Sequence, residues 1–513
     1  MKDRSDRLVR KIVIVGGGTA GWMTAAALSH RLCGLGLDIT LIESAEIGTV
    51  GVGEATLPQI RYFNQALGID ETELMTATSA TIKLGIQFCD WGRIGDSYFH
   101  PFGAYGDTIG PADFHHYWVR QAGRSGCEPF GNFSFPIVAA EAGKFDLPGP
   151  QNEDGPTAYS YAFQFDASLY AAFLGRFAQQ RGVRRVEGKI VSAALDGENG
   201  FIRSVSLESG ETFGADLFID CSGFRGVLIE QELKTGYEDW SEFLPNNRAY
   251  AVPCEMMGPL SPYTRATARE AGWQWRIPLQ HRVGNGHVYC DSYISDQDAL
   301  DQLMTTLEGK PLAEPKQLFF ATGKRRKMWS RNCVAIGLSG GFLEPLESTS
   351  IDLIQSGIDN LVALFPEQEC AVSDADEYNR LMDAEYARIR DFLMLHYVAN
   401  QREDSPMWRD FRESQMPDSL AAKIDAFKSR GLVPDFTQGL FLAPSWLSVF
   451  IGQNVMPETW DPRAGILPKQ ELETKLGQVS ATIRKGVDAM RTHSRFIAES
   501  GAAFQPPEAG QRQ

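Results

Sequence analysis

Five residues, Lys11-Ile12-Val13-Ile14-Val15, open the patterned part of the chain as a short, mostly β-branched apolar run. A run of that kind reads as a strand buried on both faces. Gly16, Gly18 and Gly21 follow at once, residues 20–30 then carry a helical pattern, and residues 38–43 form a second apolar run that ends in Glu43. Strand, tight turn, helix and strand make a βαβ unit. Further along, residues 160–225 hold a helix and several β-rich runs, and an apolar stretch at 216–221 closes on Ser222-Gly223. Residues 331–340 run into Gly337, with a helix expected from about Ser350. After about residue 370 the pattern changes to long charged stretches with helical periodicity at 374–400, 417–430 and 469–495. The last residues, 501–513, include Pro506-Pro507 and are expected to be disordered.

The glycine turn supplies the first candidate chemistry. Without side chains at Gly16, Gly18 and Gly21, backbone amides and the positive end of the first helix can approach a pyrophosphate. Glu43 lies 22 residues after Gly21, close to the interval of about 20 expected of an acid that binds a ribose hydroxyl. The fold class is therefore α/β with a Rossmann-like dinucleotide site. The fingerprint does not separate FAD from NAD, because both contain adenosine diphosphate.

With 513 residues the chain exceeds the roughly 250–300 at which a single core stops growing. A formal charge of −16 excludes nucleic acid or an anionic membrane as the main partner, since both require clustered Lys and Arg. Eight cysteines, at 33, 89, 127, 221, 254, 290, 333 and 370, show neither a CxxC pair nor metal-ligand spacing. They read as buried thiols of a reducing cytoplasm, and no metal is expected. Polar residues lead from Met1 to the first strand without an apolar signal core, and no run approaches the ~18 apolar residues of a spanning helix. The expected location is cytoplasmic.

Several ordered segments together resemble the flavin-dependent halogenases, the family of the tryptophan halogenases. They are the glycine turn, Gly51-Val52-Gly53-Glu54-Ala55-Thr56, Lys83 within its flanking sequence, Trp273-Gln274-Trp275-Arg276-Ile277-Pro278, and residues 337–350. The resemblance implies an FAD-binding Rossmann-like domain of the flavin monooxygenase type, with a β-rich substrate region and a helical C-terminal part. Residues 1–95 would begin the FAD core, and 96–330 would be β-rich and interleaved with returning core strands. Residues 331–370 would hold the halide-site segment, 371–500 the helical region and 501–513 the tail.

The implied activity is a two-component one. FAD arrives as FADH2 from a separate NAD(P)H-dependent flavin reductase, for which this chain shows no second nucleotide fingerprint. With O2 it forms a hydroperoxide that oxidises chloride or bromide to hypohalous acid, which halogenates an aromatic small molecule. A homodimer is among the assemblies the resemblance allows. Such chemistry needs a cationic donor to hold the hypohalous acid and a base for the arene proton.

Lys83 matches the family's essential lysine. By itself it would read as a lysine snorkelling to the surface from an almost uncharged stretch. Glu347, in Phe342-Leu343-Glu344-Pro345-Leu346-Glu347-Ser348-Thr349, matches the catalytic glutamate; without the resemblance it reads as an acid at a helix N-terminus. Thr349 and Ser350 match the positions whose amides bind halide. Ser350 stands where family members commonly have glycine, which leaves chloride and bromide both open. Gly16, Gly18, Thr19, Ala20, Gly21, Glu43, Ala55 and Gly337 are the expected flavin-binding positions. His100 and Phe102 match residues around the arene, and Trp273 and Trp275 are expected as walls near the flavin, with core packing the rival reading.

The family's clamp for free tryptophan, a tyrosine pair, an acid and Phe-Trp, is not recognisable in residues 431–453. The corresponding run here is residues 436–446, in which Phe441 or Trp446 are the candidates for the missing aromatic wall and no acid remains for an ammonium group. The expected substrate is therefore an indole or another electron-rich arene. The alternatives are a tryptophan-specific halogenase, a flavin-dependent aromatic monooxygenase and a non-enzymatic flavin carrier.

Overall fold

The structure, a computed structural model, describes residues 7–44, 53–152, 154–433 and 439–504. The expectations placed on Gly51, Val52, residues 436–438 and most of the C-terminal tail lie outside them.

The β-branched run Lys11–Val15 forms the strand it predicts and sits inside a six-stranded sheet. On one side it pairs in parallel with Asp38–Glu43, which in turn pairs with Arg184–Glu187. On the other it pairs in parallel with Leu217–Asp220, followed by Cys333–Ala335. The segments at 216–221 and 331–340 thus return to the first βαβ unit. The helix Thr19–Arg31 packs one face on this sheet and another on the helix Ala167–Gln179, and its small residues Ala25, Ala26 and Ala27 are completely buried. Small side chains there let the two helices and the sheet close on one another.

A seven-stranded sheet covers the other half of the molecule. Its order is Lys316–Phe319, Arg248–Cys254, Val283–Tyr289, Gly272–Pro278, Thr264–Arg269, Gly85–Cys89 and Ser97–Pro101. Between the two sheets lies a small antiparallel one, Gly53–Ala55, Ala162–Asp166 and Thr81–Lys83. The stretch around Lys83, which suits helix or strand equally in sequence, is two strands with Leu84 between them. One hydrophobic core continues from Ile12 and Trp22 through Phe163 to Phe392 and Trp408.

The three periodic stretches after residue 370 form the helices Val372–Val398, Asp418–Arg430 and Lys469–Ala489, with shorter helices Pro406–Glu413 and Ala443–Gly452 between them. The periodic stretch at 469–495 is broken, because a second helix, His493–Glu499, starts at Thr492. The Thr492 side chain accepts from the Arg495 amide, and the Asp146 carboxylate takes the Arg491 amide at 2.9 Å. Both contacts turn the chain where apolar periodicity alone would continue it. Among the described residues no helix is long and apolar enough to cross a membrane.

The glycine turn is sterically closed. A Cβ on Gly16, whose φ is +108°, would lie 2.3 Å from the Cys221 carbonyl oxygen, and one on Gly21 would lie 1.9 Å from that of Gly16. These are backbone atoms, so only movement of strand or helix would relieve the overlap. Gly21→Ala is accordingly expected to cost about 1–3 kcal/mol, seen as a lower urea midpoint; an unchanged midpoint would show that the turn yields freely.

Candidate active site

Lys83 ends the strand Thr81–Lys83 opposite Ala162 and is completely buried. Its Nζ donates to the Thr56 carbonyl at 3.0 Å and to the Ser348 hydroxyl at 2.9 Å. An ammonium has three N–H donors, and the described residues engage two of them. Desolvation pulls this amine down to about 7, against the nearby carboxylates of Glu347 and Glu54, which favour its charge. Burial likewise pushes the half-buried Glu54 carboxyl up to about 7, with Lys83 opposing the rise. The Phe102 ring centroid is 5.1 Å from the ammonium, which gives the cation an aromatic face.

The partner hydroxyl owes its position to an unusual backbone. Pro345–Glu347 form a single tight turn, Ser348 follows in the left-handed region with φ +60°, and the helix Ser350–Ala363 begins two residues later. A non-glycine residue held there costs about 1–2 kcal/mol. The turn directs the Ser348 hydroxyl to Lys83 while its neighbour Glu347 stays completely buried.

Two histidines grip Glu347. His100 Nδ1 is 2.7 Å from Oε2, and His396 Nε2 is 2.8 Å from Oε1 but off the line of a hydrogen bond. Burial alone would raise this carboxyl, yet the histidines more than offset it and hold it at about 2. Glu347 is thus a carboxylate at neutral pH. His396 Nδ1 lies 3.0 Å from the Tyr98 hydroxyl, which accepts from Gln453 Nε2 at 3.1 Å. Desolvation lowers the pKa of His396, against its contact with Glu347.

A second buried acid shares this loop. Glu344 accepts from the Tyr397 hydroxyl and, at 2.7 Å, from Asn246 Nδ2. Consecutive residues of one helix, His396 and Tyr397, therefore hold Glu347 and Glu344. Burial pushes the Glu344 carboxyl up to about 7, although Tyr397, Asn246 and Trp273 favour its ionised form.

The groups expected to meet halide and flavin lie at helix starts. Thr349 caps Ser350–Ala363, and its buried Oγ1 has no protein partner. The first amides of a helix also lack intrahelical carbonyls, so hydroxyl, amides and helix dipole together form a donor set suited to a small anion. Gly18 caps Thr19–Arg31 in extended conformation, so Thr19, Ala20 and Gly21 present amides in the same way. Glu43 packs against Gly17, where a Cβ would overlap its carboxylate, and pairs with Arg185. A Cβ on Gly337 (φ +76°) would come within 2.7 Å of the Ala20 Cβ, so this glycine lets the turn after Cys333–Ala335 close on the first helix. Ala55 ends the strand Gly53–Ala55, which is separated from the Lys83 strand by Ala162–Asp166 in the same small sheet. The amides at the start of Thr19–Arg31 and the lack of a side chain at Gly18 fit the pyrophosphate of FAD.

Of the expected walls, Trp273 and Trp275 face the same way on Gly272–Pro278, 6.1 Å apart. Both are buried, Trp273 stands 6.4 Å from Trp91, and Trp275 Nε1 has no hydrogen-bond partner in the protein. Phe441 stacks on Phe392 at 3.9 Å and lies 5.8 Å from His100, so it borders the Glu347 cluster. Trp446 sits behind Phe392, with Lys423 over its ring, and belongs to the packing layer. Sequence reasoning missed Ser348, Glu344, Tyr98 and His396. The last carries a readable signal, a histidine within the apolar run Phe392-Leu393-Met394-Leu395 and Tyr397.

The tryptophan halogenase family model matches residues 11–469. The chain is 35% identical to tryptophan 6-halogenase SttH of Streptomyces toxytricini over 96% of its length and 98% of that protein. It is 32% identical to tryptophan 7-halogenase RebH of Lentzea aerocolonigenes, again over 96% and 98%. Among solved structures, BrvH, a flavin-dependent halogenase from Brevundimonas sp. BAL3, superposes with a TM-score of 0.92 at 43% identity over 96% of this chain and 99% of that one. Xcc4156, a flavin-dependent halogenase from Xanthomonas campestris, gives 0.93 at 44% over 98% and 100%.

The Glu344 pKa has a defined consequence for stability. A carboxyl whose folded pKa is raised favours the fold below its unfolded value of 4.5, and this contribution is lost as pH rises through about 7. Glu344→Gln should therefore gain stability relative to the parent between pH 5 and pH 8, on the order of 2–3 kcal/mol. Urea unfolding at both pH values checks this; a constant difference would show that Glu344 titrates normally.

Proposed function

Because this chain belongs to the tryptophan halogenase family, we propose that it halogenates, with bromide or chloride, an indole or similar electron-rich arene that carries no free amino-acid group. It is a flavin-dependent halogenase that uses FADH2, O2 and halide. The observation that carries the finer reading is residues 439–453, Gly-Leu-Phe-Leu-Ala-Pro-Ser-Trp-Leu-Ser-Val-Phe-Ile-Gly-Gln, which bring Phe441 to the Glu347 cluster without an acid or a tyrosine. An ammonium group would find no carboxylate among residues 439–453. Tryptophan itself is the second reading, favoured by the names of SttH and RebH.

When bound, reduced FAD and O2 supply the oxidising power that turns halide into hypohalous acid. Thr349 and Ser350 hold the halide at the helix start. The Lys83 ammonium hydrogen-bonds the hypohalous acid, and the Ser348 contact keeps it from swinging away. Glu347, held ionised by His100 and His396, takes the proton from the carbon that has gained the halogen. Phe102 and Phe441 flank the arene, and Trp273 and Trp275 close the side toward the flavin. Electrons for FAD come from a separate NAD(P)H-dependent reductase.

Mass spectrometry of indole, phenol and tryptophan incubated with a flavin reductase, FAD, NADH, O2 and either halide tests the reading. A halogen isotope pattern is expected on indole, with kcat/KM at least tenfold above that for tryptophan; a preference for tryptophan would overturn it. Lys83→Met should lower halogenation at least a hundredfold while flavin binding stays within about twofold, since uncompensated loss of one electrostatic group typically costs several kcal/mol of transition-state energy. Glu347→Gln should slow turnover at least tenfold, consistent with general-base effects of about a hundred to ten thousand. Parent-like rates would remove either residue from the chemistry.

A further inference from the structure

Beside Phe102 lies a cleft of about 750 Å³ bounded by Pro58, Tyr62, Leu147, Tyr159 and Tyr161. That volume falls within the roughly 300–1,000 Å³ typical of sites for drug-sized ligands, well beyond what an indole alone fills. Phe102 is shared between this cleft and the active site, because its ring also faces the Lys83 ammonium at 5.1 Å. Phe102 is thus a wall common to the cleft and to the Lys83 site.

Two large side chains with apolar faces stand at its exposed walls. Tyr62 is 64% exposed and Leu147 53% exposed, on opposite sequence segments of the same cleft. Large apolar side chains grouped around a concavity mark a binding surface more than scattered ones do. The walls are also fixed in advance. Ser160 donates its amide to the Phe102 carbonyl at 2.7 Å, Asn152 Nδ2 donates to the Thr157 carbonyl at 3.0 Å, and the Tyr159 hydroxyl donates to the Asp146 carbonyl at 2.6 Å.

Charge narrows the ligand class. Among the described lining residues Arg61 is the one charged side chain, and it is already committed: its Nε lies 3.0 Å from Glu71, and its guanidinium stacks 3.7 Å over the Tyr161 ring. Tyr161 in turn donates its hydroxyl to the other Glu71 oxygen at 2.6 Å. A neutralised cation attracts neither a carboxylate nor an ammonium strongly, whereas the tyrosine and leucine faces favour flat apolar groups.

We propose that this cleft binds the non-reacting body of the natural substrate, a neutral aromatic or apolar group joined to the indole that reaches past Phe102 to Lys83. This rests on the proposed function and extends it from the reacting ring to the rest of the molecule. The substrate class is then a neutral, aryl-bearing indole rather than a free amino acid or an acidic conjugate. Body contacts that persist in the transition state raise kcat/KM without taking part in the chemistry.

The test compares bromination of indole, N-benzoyltryptamine and N-succinyltryptamine by the holoenzyme, in the parent and in Tyr62→Ala and Leu147→Ser. Both replaced side chains are largely exposed, so folding should survive, and a flavin titration checks it. The expected result is a kcat/KM for N-benzoyltryptamine at least tenfold above those for indole and for the succinyl compound. Each variant should lose at least fivefold of the benzoyl rate while its indole rate stays within twofold. Equal rates on the benzoyl and succinyl compounds, or equal losses on indole and the benzoyl compound, overturn the cleft assignment. Indole brominated by the parent with no benzoyl advantage overturns this inference but leaves the proposed function standing, whereas absence of any halogenated indole overturns both.

Discussion

A single buried ammonium organises the centre of this molecule. Lys83 is removed from water on a short strand between two larger sheets, and such a cation is tolerated only where hydrogen bonds and opposite charge replace its hydration. Thr56 provides a carbonyl and Ser348 a hydroxyl, and Glu347 and Glu54 provide charge. Meeting that requirement fixes how three distant segments approach one another, the strand near residue 55, the strand near residue 83 and the turn at 344–349.

The turn is held from its other side by one helix. His396 and Tyr397, consecutive near the end of Val372–Val398, contact Glu347 and Glu344 respectively. The same helix stacks Tyr397 on Phe411, so the acids are anchored to a packed aromatic layer rather than to solvent-exposed loops. Opposite shifts follow from the difference in partners. Glu347 faces two imidazoles and is held as a carboxylate, whereas Glu344 faces neutral donors and has its pKa raised to about 7. Two acids three residues apart are thereby given different protonation behaviour by packing alone.

Lys83, Glu347 and Thr349 are all removed from water. In the proposed function they carry the reaction, while the 439–453 wall and the cleft beside Phe102 select the arene. A fold can host different substrates on one scaffold, and here the family match spans residues 11–469 while residues 439–453 hold neither an acid nor a tyrosine.

Much was legible in the sequence because the responsible physics is local. The β-branched run at 11–15, the glycine spacing, the strand ending at Glu43 and the helix starting at Ser350 all appear where periodicity and turn chemistry put them. The helical stretch at 469–495 was misread as continuous because the contact from Asp146 that helps break it comes from more than three hundred residues away. His396 and Glu344 escaped notice for the same reason, since a histidine in an apolar run and an acid before a proline acquire meaning only when the fold brings them to Glu347, Tyr397 and Trp273. By itself the sequence determined the nucleotide-binding topology and, through family resemblance, singled out Lys83 and Glu347. Tertiary structure alone decided their electrostatic state, because burial and the approach of remote donors set a pKa, and neither is written in the residues adjacent along the chain.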